Sequence, residues 1–440
     1  MTTVPPVHNY ENQIVFSNQS NNIKSNDIIN FTIAPSGDDC YFDLYKSRIT
    51  FKLKITGLTK NEGEKATDKT LLVPVKKNMS GIVNNTKVTY TYFDGDTLKN
   101  LPLSADNENI GQIRSLLNTL TDNKHNHVVN ENLKELSYIY YDAIDTEKPA
   151  ASATGDDADR VKLAAVATAD AAEIACRPYN GQLFYNKLKF VQKKGSTEAY
   201  CTINVNFSDI FEGCSQERFI NLTQMDAQII PTNDDAFFYI NNGQITINDT
   251  ATNFGGVFFD TCKVWYHSYK TSADDVFDPE DTQLVKNQIM TKTFNIPSNQ
   301  KFVDNNVIVN FPIKMMFMLF TDENGDFSKL KDVKFSKLTL KIVGETARPI
   351  DVDNSNTPEG IDHTFFEWMD YLCNSRSDEY DTLLTYKTWV NQFKVFAFPI
   401  SEWFAQRASN QLQFEINFED APDANKTTQM HLIMIRANNA

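Results

Sequence analysis

Between Asp27 and Gly57 apolar and polar residues alternate in two runs. Ile29, Phe31 and Ile33 alternate with polar neighbours, the polar turn SGDDC interrupts, and then Ile49, Phe51, Leu53 and Ile55 point one way while Arg48, Thr50, Lys52 and Lys54 point the other. A two-residue period belongs to a half-buried strand, one face in a core and one in water. The same grammar returns far along the chain. FNIPS (294–298) echoes FTIAPS (31–36), and VIVNFPIKMMFMLF (307–320) reads as one strand with Val307, Val309, Phe311, Ile313, Met315, Phe317 and Leu319 on one side.

Taken in order, residues 1–26 are polar, with Pro5 and Pro6, and read as an N-terminal arm. The pattern predicts a further strand at KVTYTYF (87–93), turned by Asp94-Gly95-Asp96. The period then lengthens: Ile110, Ile113, Leu116, Leu117 and Leu120 mark an amphipathic helix over 107–121. Patterning weakens over about 122–180, where the Ala- and Asp-crowded stretch 150–175 reads as part of a long exposed loop insertion. Strands resume at 183–192, 199–207, 219–230 and 237–247. The last carries Asn242-Gly243, a strong hairpin signal. A strand at 256–269 closes the first half, and the acidic SADDVFDPEDTQ (272–283), broken by Pro279, is the expected linker.

The second half runs through the same order. VKFSKLTLKIVG (333–344) follows the Asp322–Asp326 turn, with Gly344 and Pro349 standing where Gly95 and Pro102 stood. Thr364 to Glu367 forms a capping box for a helix striped by Phe365, Phe366, Met369, Leu372 and Cys373. KVFAFPISEWF (394–404) matches INVNFSDIF (203–211), QLQFEINFEDA (411–421) matches the strand near 219–230, and MHLIMIR (430–436) ends this half as CKVWYHSY ended the first. The shared order predicts an internally duplicated all-β chain: an arm at 1–26, a first jelly roll at 27–271, a linker at 272–283 and a second jelly roll at 284–440. Each copy has about eight short strands, with short helices in the loops.

Three stretches carry a resemblance to a known family. They are FTIAPSGDDCYFDLYKSRITFKLKI, INVNFSDIFEGCSQERFINLTQMDAQIIPTNDDAFFYI (203–240) and QLQFEINFEDAPDANKTTQMHLIMIR (411–436). In pattern and order they resemble the double jelly-roll major capsid proteins of icosahedral double-stranded DNA viruses, nearest the virophage, Polinton-like and adintovirus-type branch. The resemblance implies a homotrimer whose six jelly rolls form a pseudo-hexagonal capsomer, neighbouring capsomers, penton and minor capsid proteins as partners, and a place in the virion after assembly inside a host cell. It implies no catalytic residues and no cofactor.

Composition changes this picture little. Hydrophobic residues make up 41% and aromatics 12%, with 31 Phe and 17 Tyr, a strand-favouring balance. The net charge of −15 disfavours wrapping nucleic acid, and no local Lys/Arg cluster is read as reversing it. No apolar run approaches the roughly 20 residues of a membrane span, and no secretory signal is read at the N-terminus. Cys40, Cys176, Cys201, Cys214, Cys262 and Cys373 form no CxxC pair and read as packed thiols.

The search for chemistry is mostly negative: no phosphate loop, HExxH or GxSxG stands in the sequence. His125 and His127 lack a nearby Cys. Asp322–Asp326 lacks the spacing of a calcium loop and reads as a hairpin turn on Asn324-Gly325. Asp274, Asp275, Asp278, Glu280 and Asp281 read as a solvated linker. No catalytic, cofactor-binding or metal-ligating residue is assigned. The alternative is a carbohydrate-binding β-sandwich or adhesin, with Trp265, Trp368, Trp389 and Trp403 as stacking platforms; a β-rich hydrolase and a penton protein are weaker readings.

Overall fold

A computed structural model describes residues 9–16, 23–24, 27–34, 40–62, 67–75, 79–104, 109–121, 175–176, 184–185, 187–214, 219–238, 240–248, 250–270, 284, 288–323, 325, 327, 330–331, 333–342, 350–354, 395–398 and 410–436. The helix expected at 364–373, the linker and most of the 122–180 insertion lie outside them.

The first stretch of chain contains β1 (Asn9–Phe16), β2 (Ile29–Ile33), β3 (Cys40–Thr56), β4 (Lys69–Pro74), β5 (Val83–Asp94), β6 (Thr97–Ser104) and helix α1 (Ile110–Thr121). After the short pair β7 (Ala175–Cys176) and β8 (Phe184–Tyr185) come β9 (Lys187–Gln192), β10 (Ala199–Asn206), β11 (Phe219–Ile220) and β12 (Gln224–Pro231). A one-turn helix α2 (Asp234–Phe237) leads to β13 (Ile240–Asn241), β14 (Gln244–Ile247), β15 (Thr250–Asn253) and β16 (Gly256–Lys270). The remainder holds β17 (Ile289–Ile296), β18 (Phe302–Val309), β19 (Ile313–Thr321), β20 (Phe335–Ile342), β21 (Ile350–Asn354), β22 (Phe396–Phe398), β23 (Asn410–Phe418) and β24 (Thr428–Arg436).

These strands divide into two compact units, one of Met1–Ser115, Asn130–Tyr138 and Asn186–Asn287 and the other of Leu116–Val129, Ile139–Tyr185 and Gln288–Ala440, so the last passage between them falls at Asn287–Gln288. Leu284, placed in the second copy by the sequence reading, packs in the core of the first. In the first unit one sheet runs β1-β16-β3-β10-β9-β4 and the other β2-β12-β5-β6. In the second the sheets run β17-β24-β19-β22 and β18-β23-β20-β21. Matching strands in chain order maps β1, β2, β3, β5, β6, β10, β12 and β16 onto β17 through β24, and every neighbour relation survives. Each unit is therefore an eight-stranded jelly roll. In the first roll β4 and β9 widen one sheet, and the hairpin strands β13–β15 form a small sheet of their own.

The alternation does the packing. Ile29, Phe31 and Ile33 of β2 and Ile49, Phe51, Leu53 and Ile55 of β3 are all buried in one core, while Asn30, Thr32, Thr50, Lys52 and Lys54 face away. Asn242 (φ 50°) and Gly243 (φ 76°) turn the β13–β14 hairpin, both in the left-handed region that a two-residue primed turn requires.

Four expectations are corrected. Residues 307–320 are not one strand: β18 and β19 lie in different sheets, separated by a corner at Asn310-Phe311-Pro312. Pro312 has no N–H to give a ladder, so the run breaks there. A register shift between Ile313 and Met315 then reverses the alternation. Met316, Met318 and Phe320 enter the core, whereas Met315, Phe317 and Leu319 face the other way. The echo of FTIAPS by FNIPS is one strand out of step, because FNIPS ends β17, whose counterpart is β1, while β2 matches β18. The supposed arm thus supplies β1, paired with β16 from Asn9↔Lys270 to Phe16↔Lys263. The Asp322 turn closes no hairpin, since the flanking β19 and β20 belong to different sheets.

Candidate functional site

The FSDIF element follows β10 directly. Phe207–Asp209 form a single 3-10 turn, with the Ile210 and Phe211 amides donating to the Phe207 carbonyl at 3.1 and 2.8 Å. This turn folds both aromatic rings inward. Phe207 and Phe211 stack edge-on at 5.1 Å between centroids, and each lies 6.0 Å from Phe31 of β2. The sequence motif is a plug that closes one end of the first core.

Behind the plug sits a polar knot. Arg114 of α1 meets Glu212 at 2.7 Å, and their side chains are 6% and 2% exposed. Tyr90 of β5 donates its hydroxyl to the Glu212 carbonyl and lies 3.2 Å from Cys214 Sγ; Thr86 donates to the Ile210 carbonyl at 2.8 Å. Helix α1 approaches closely enough that a Cβ on Gly111 would lie 1.8 Å from the Ser80 carbonyl oxygen. Burial raises the Tyr90 phenol well above its usual range and pushes the Cys214 thiol up to about 12, as it does Cys262. A nucleophilic cysteine needs the opposite shift. The knot anchors a helix and carries no activated nucleophile.

In the second roll His431 of β24 is buried. Its Nε2 is 2.8 Å from Thr321 Oγ1, its Nδ1 3.0 Å from Thr293 Oγ1, and the Phe327 ring lies 4.6 Å away. Thr321 donates its hydroxyl to the Asp322 carbonyl at 3.1 Å, so its oxygen accepts from Nε2–H, and Nδ1 accepts from Thr293. Burial lowers this imidazole to about 4. It is a satisfied neutral histidine.

The outward face of the β16-β3-β10-β9 sheet is different in kind. Arg48 stacks on Trp265 (5.6 Å to the ring centroid), Lys52 on Tyr200 (4.2 Å) and Lys54 on Phe258 (5.8 Å). Lys52 and Lys54 also reach Asp260 at 2.7 and 3.9 Å. Lys189, Lys193 and Lys194 stand exposed beside them, and a cleft of about 620 Å³ opens between Lys52, Tyr200, Val191 and the 193–196 turn. The sequence reading missed this basic face, although KLKFVQKK (187–194) signals it with four lysines. The remaining cations come from strands distant in sequence that only ladder pairing brings together.

Of the residues weighed for chemistry, Trp265 alternates with buried Cys262, Val264 and Tyr266 and is half-buried under Arg48, not an open platform. Trp368, Trp389, Trp403, His125, His127 and the Asp274–Asp281 cluster lie outside the described residues. Asp322 accepts from the Gly325 amide at 3.2 Å, as a turn residue does. Among the described residues no group of three or more His, Cys, Asp or Glu is arranged to hold a metal ion, and no helix is long and apolar enough to cross a membrane.

No protein-family model and no curated protein sequence matches the chain. Among solved structures it is similar to a chain of the Sputnik virophage cryo-EM structure, with 10% identity over 99% of this chain and 87% of that one and a TM-score of 0.56. Similarity also extends to the mavirus major capsid protein (12% identity, 97% and 87% covered, TM-score 0.46) and the Faustovirus major capsid protein (9%, 99% and 90%, 0.47). At such identities likeness speaks for fold, and the Sputnik match alone of these three exceeds a TM-score of one half. Together with the repeated strand order, it gives the chain the double jelly-roll fold.

Proposed function

We propose that this chain is a major capsid protein, a structural and non-enzymatic subunit of a virion. Three copies associate into a trimer, and their six rolls make a pseudo-hexagonal capsomer that repeats to build an icosahedral shell. The observation that carries this reading is the repetition of one eight-stranded plan twice in a single chain. A three-fold assembly of two near-equivalent rolls approximates six-fold symmetry, which lets one chain tile a surface. Closure about a three-fold axis makes a finite tile. Obligate interfaces of this kind bury more than about 2,000 Å². Contacts between tiles can be individually weak, because each tile makes many at once. Assembly takes place inside a host cell with penton and minor capsid proteins. Electron microscopy of the purified protein tests the reading. Trimeric hexagonal particles are expected; a monodisperse monomer at micromolar concentration overturns it.

A further inference from the structure

We infer that the outward face of the β16-β3-β10-β9 sheet is the surface by which one copy of the chain grips the acid-rich exterior of a second copy, head to tail. The inference rests on the assembly reading above and specifies its contact. Arg48, Lys52 and Lys54 of β3, Lys263 of β16, Lys189 of β9 and Lys193 of the turn after β9 gather on this face, where the carboxylates include Asp260, within reach of Lys52 and Lys54, and Glu198, which accepts from the Tyr200 hydroxyl. The chain as a whole carries −15. Concentrating cations here leaves the rest of the surface more acidic still.

Four lysines of the second roll, Lys301, Lys331, Lys341 and Lys426, each lie within ion-pair distance of a carboxylate, at 3.1, 2.7, 2.6 and 3.2 Å. Arg48, Lys189 and Lys193 have no such carboxylate among the described residues. Arg48 and Lys52 are held against aromatic rings on a rigid sheet, which reduces the ordering cost of binding.

Charge also decides the symmetry. Two basic faces meeting about a two-fold axis would set like charges together, so this face must meet a different one. Heterologous contacts close into a ring where the rotation between copies closes, as the trimer proposed above requires. A nucleic acid would meet the same cations, and the test below separates the two; the second copy is the occupant argued here because the trimer proposed above needs a heterologous contact between copies, and a chain of net charge −15 offers acids for a basic face to meet.

The test compares full-length R48E/K189E/K193E with K87E/K292E/K301E, which carries the same change in net charge on other faces. Sedimentation velocity would be run at low and high salt, with thermal melts confirming that both variants fold. The wild type is expected to form a closed oligomer that weakens as salt rises. R48E/K189E/K193E should associate at least about tenfold more weakly than the matched control and lose most of the salt dependence. Equal weakening of both variants overturns this surface while leaving the oligomer in place. A monomeric wild type overturns the assembly reading itself. Binding of a labelled DNA oligonucleotide at physiological salt, lost in R48E/K189E/K193E alone, overturns the second copy as occupant in favour of nucleic acid.

Discussion

The two rolls share one strand plan and diverge in what equivalent strands turn away from the core. In the first, β3 presents Thr50, Lys52 and Lys54 on its outward face, all partly exposed. In the second, the matching β19 presents Met315, Phe317 and Leu319, and the matching last strand β24 presents His431, Ile433 and Ile435; all are buried. Only Lys314 of β19 is exposed. The inward faces of both rolls are equally apolar. A jelly roll is thus specified by one face of each strand, and the other face is free to follow its surroundings. A strand buried on both sides reads as a continuous apolar run, which is why KMMFMLF lacks the clean alternation of TFKLKI.

The sharpest way to break this comparison is to exchange the outward residues. Phe317→Lys places an unpaired charge in a fully buried position and is expected to remove about 5 kcal/mol of stability. Lys52→Phe gives up a partly exposed ion pair with Asp260 and should cost less than about 1 kcal/mol. Urea unfolding of the two variants measures both. Similar costs would mean that the two faces do not differ as described.

The polar knot sharpens the comparison from inside. Arg114–Glu212 in the first roll is buried, whereas Lys301–Asp420 and Lys426–Glu323 in the second are exposed. Arg114→Met leaves Glu212 buried beside an apolar chain and should cost about 3–5 kcal/mol, and Arg114→Met with Glu212→Leu should recover most of it. Lys301→Met should move the unfolding midpoint hardly at all. A single Arg114 substitution as mild as Lys301→Met would show that the buried pair does not anchor α1.

Much of the plan was legible in the sequence. The echoes at KVFAFPISEWF, QLQFEINFEDA and MHLIMIR fall on β22, β23 and β24, the counterparts of β10, β12 and β16. The opening echo slipped by a strand because β1, with Asn9, Glu11, Asn12 and Gln13, has no apolar period to read. It is an edge strand, held in register by backbone pairing to β16. The facing of β19 was lost to one register shift, which flips every later side chain and leaves no compositional trace. Arg114 and Glu212, nearly a hundred positions apart in the chain, meet only through the tertiary fold. The basic face was half visible in KLKFVQKK; Arg48, Lys52, Lys54 and Lys263 join it by strand pairing alone.

The gentlest probe of the difference between the rolls is pH, because each last strand carries a histidine. His267 of β16 is half-buried and its imidazole is lowered by burial, while His431 of β24 is buried and lowered to about 4 for the same reason. Below about 6.5 the unfolded chain takes up a proton at position 431 that the folded chain refuses. Stability therefore falls as pH drops from about 6.5 to about 4, by up to about 3 kcal/mol from this group, and the dependence ends once the folded form also protonates. His431→Gln should flatten that window in urea midpoints recorded across it, whereas His267→Gln should leave most of the slope. The reverse ranking would place the acid-sensitive packing in the first roll, and with it the more deeply buried of the two last strands.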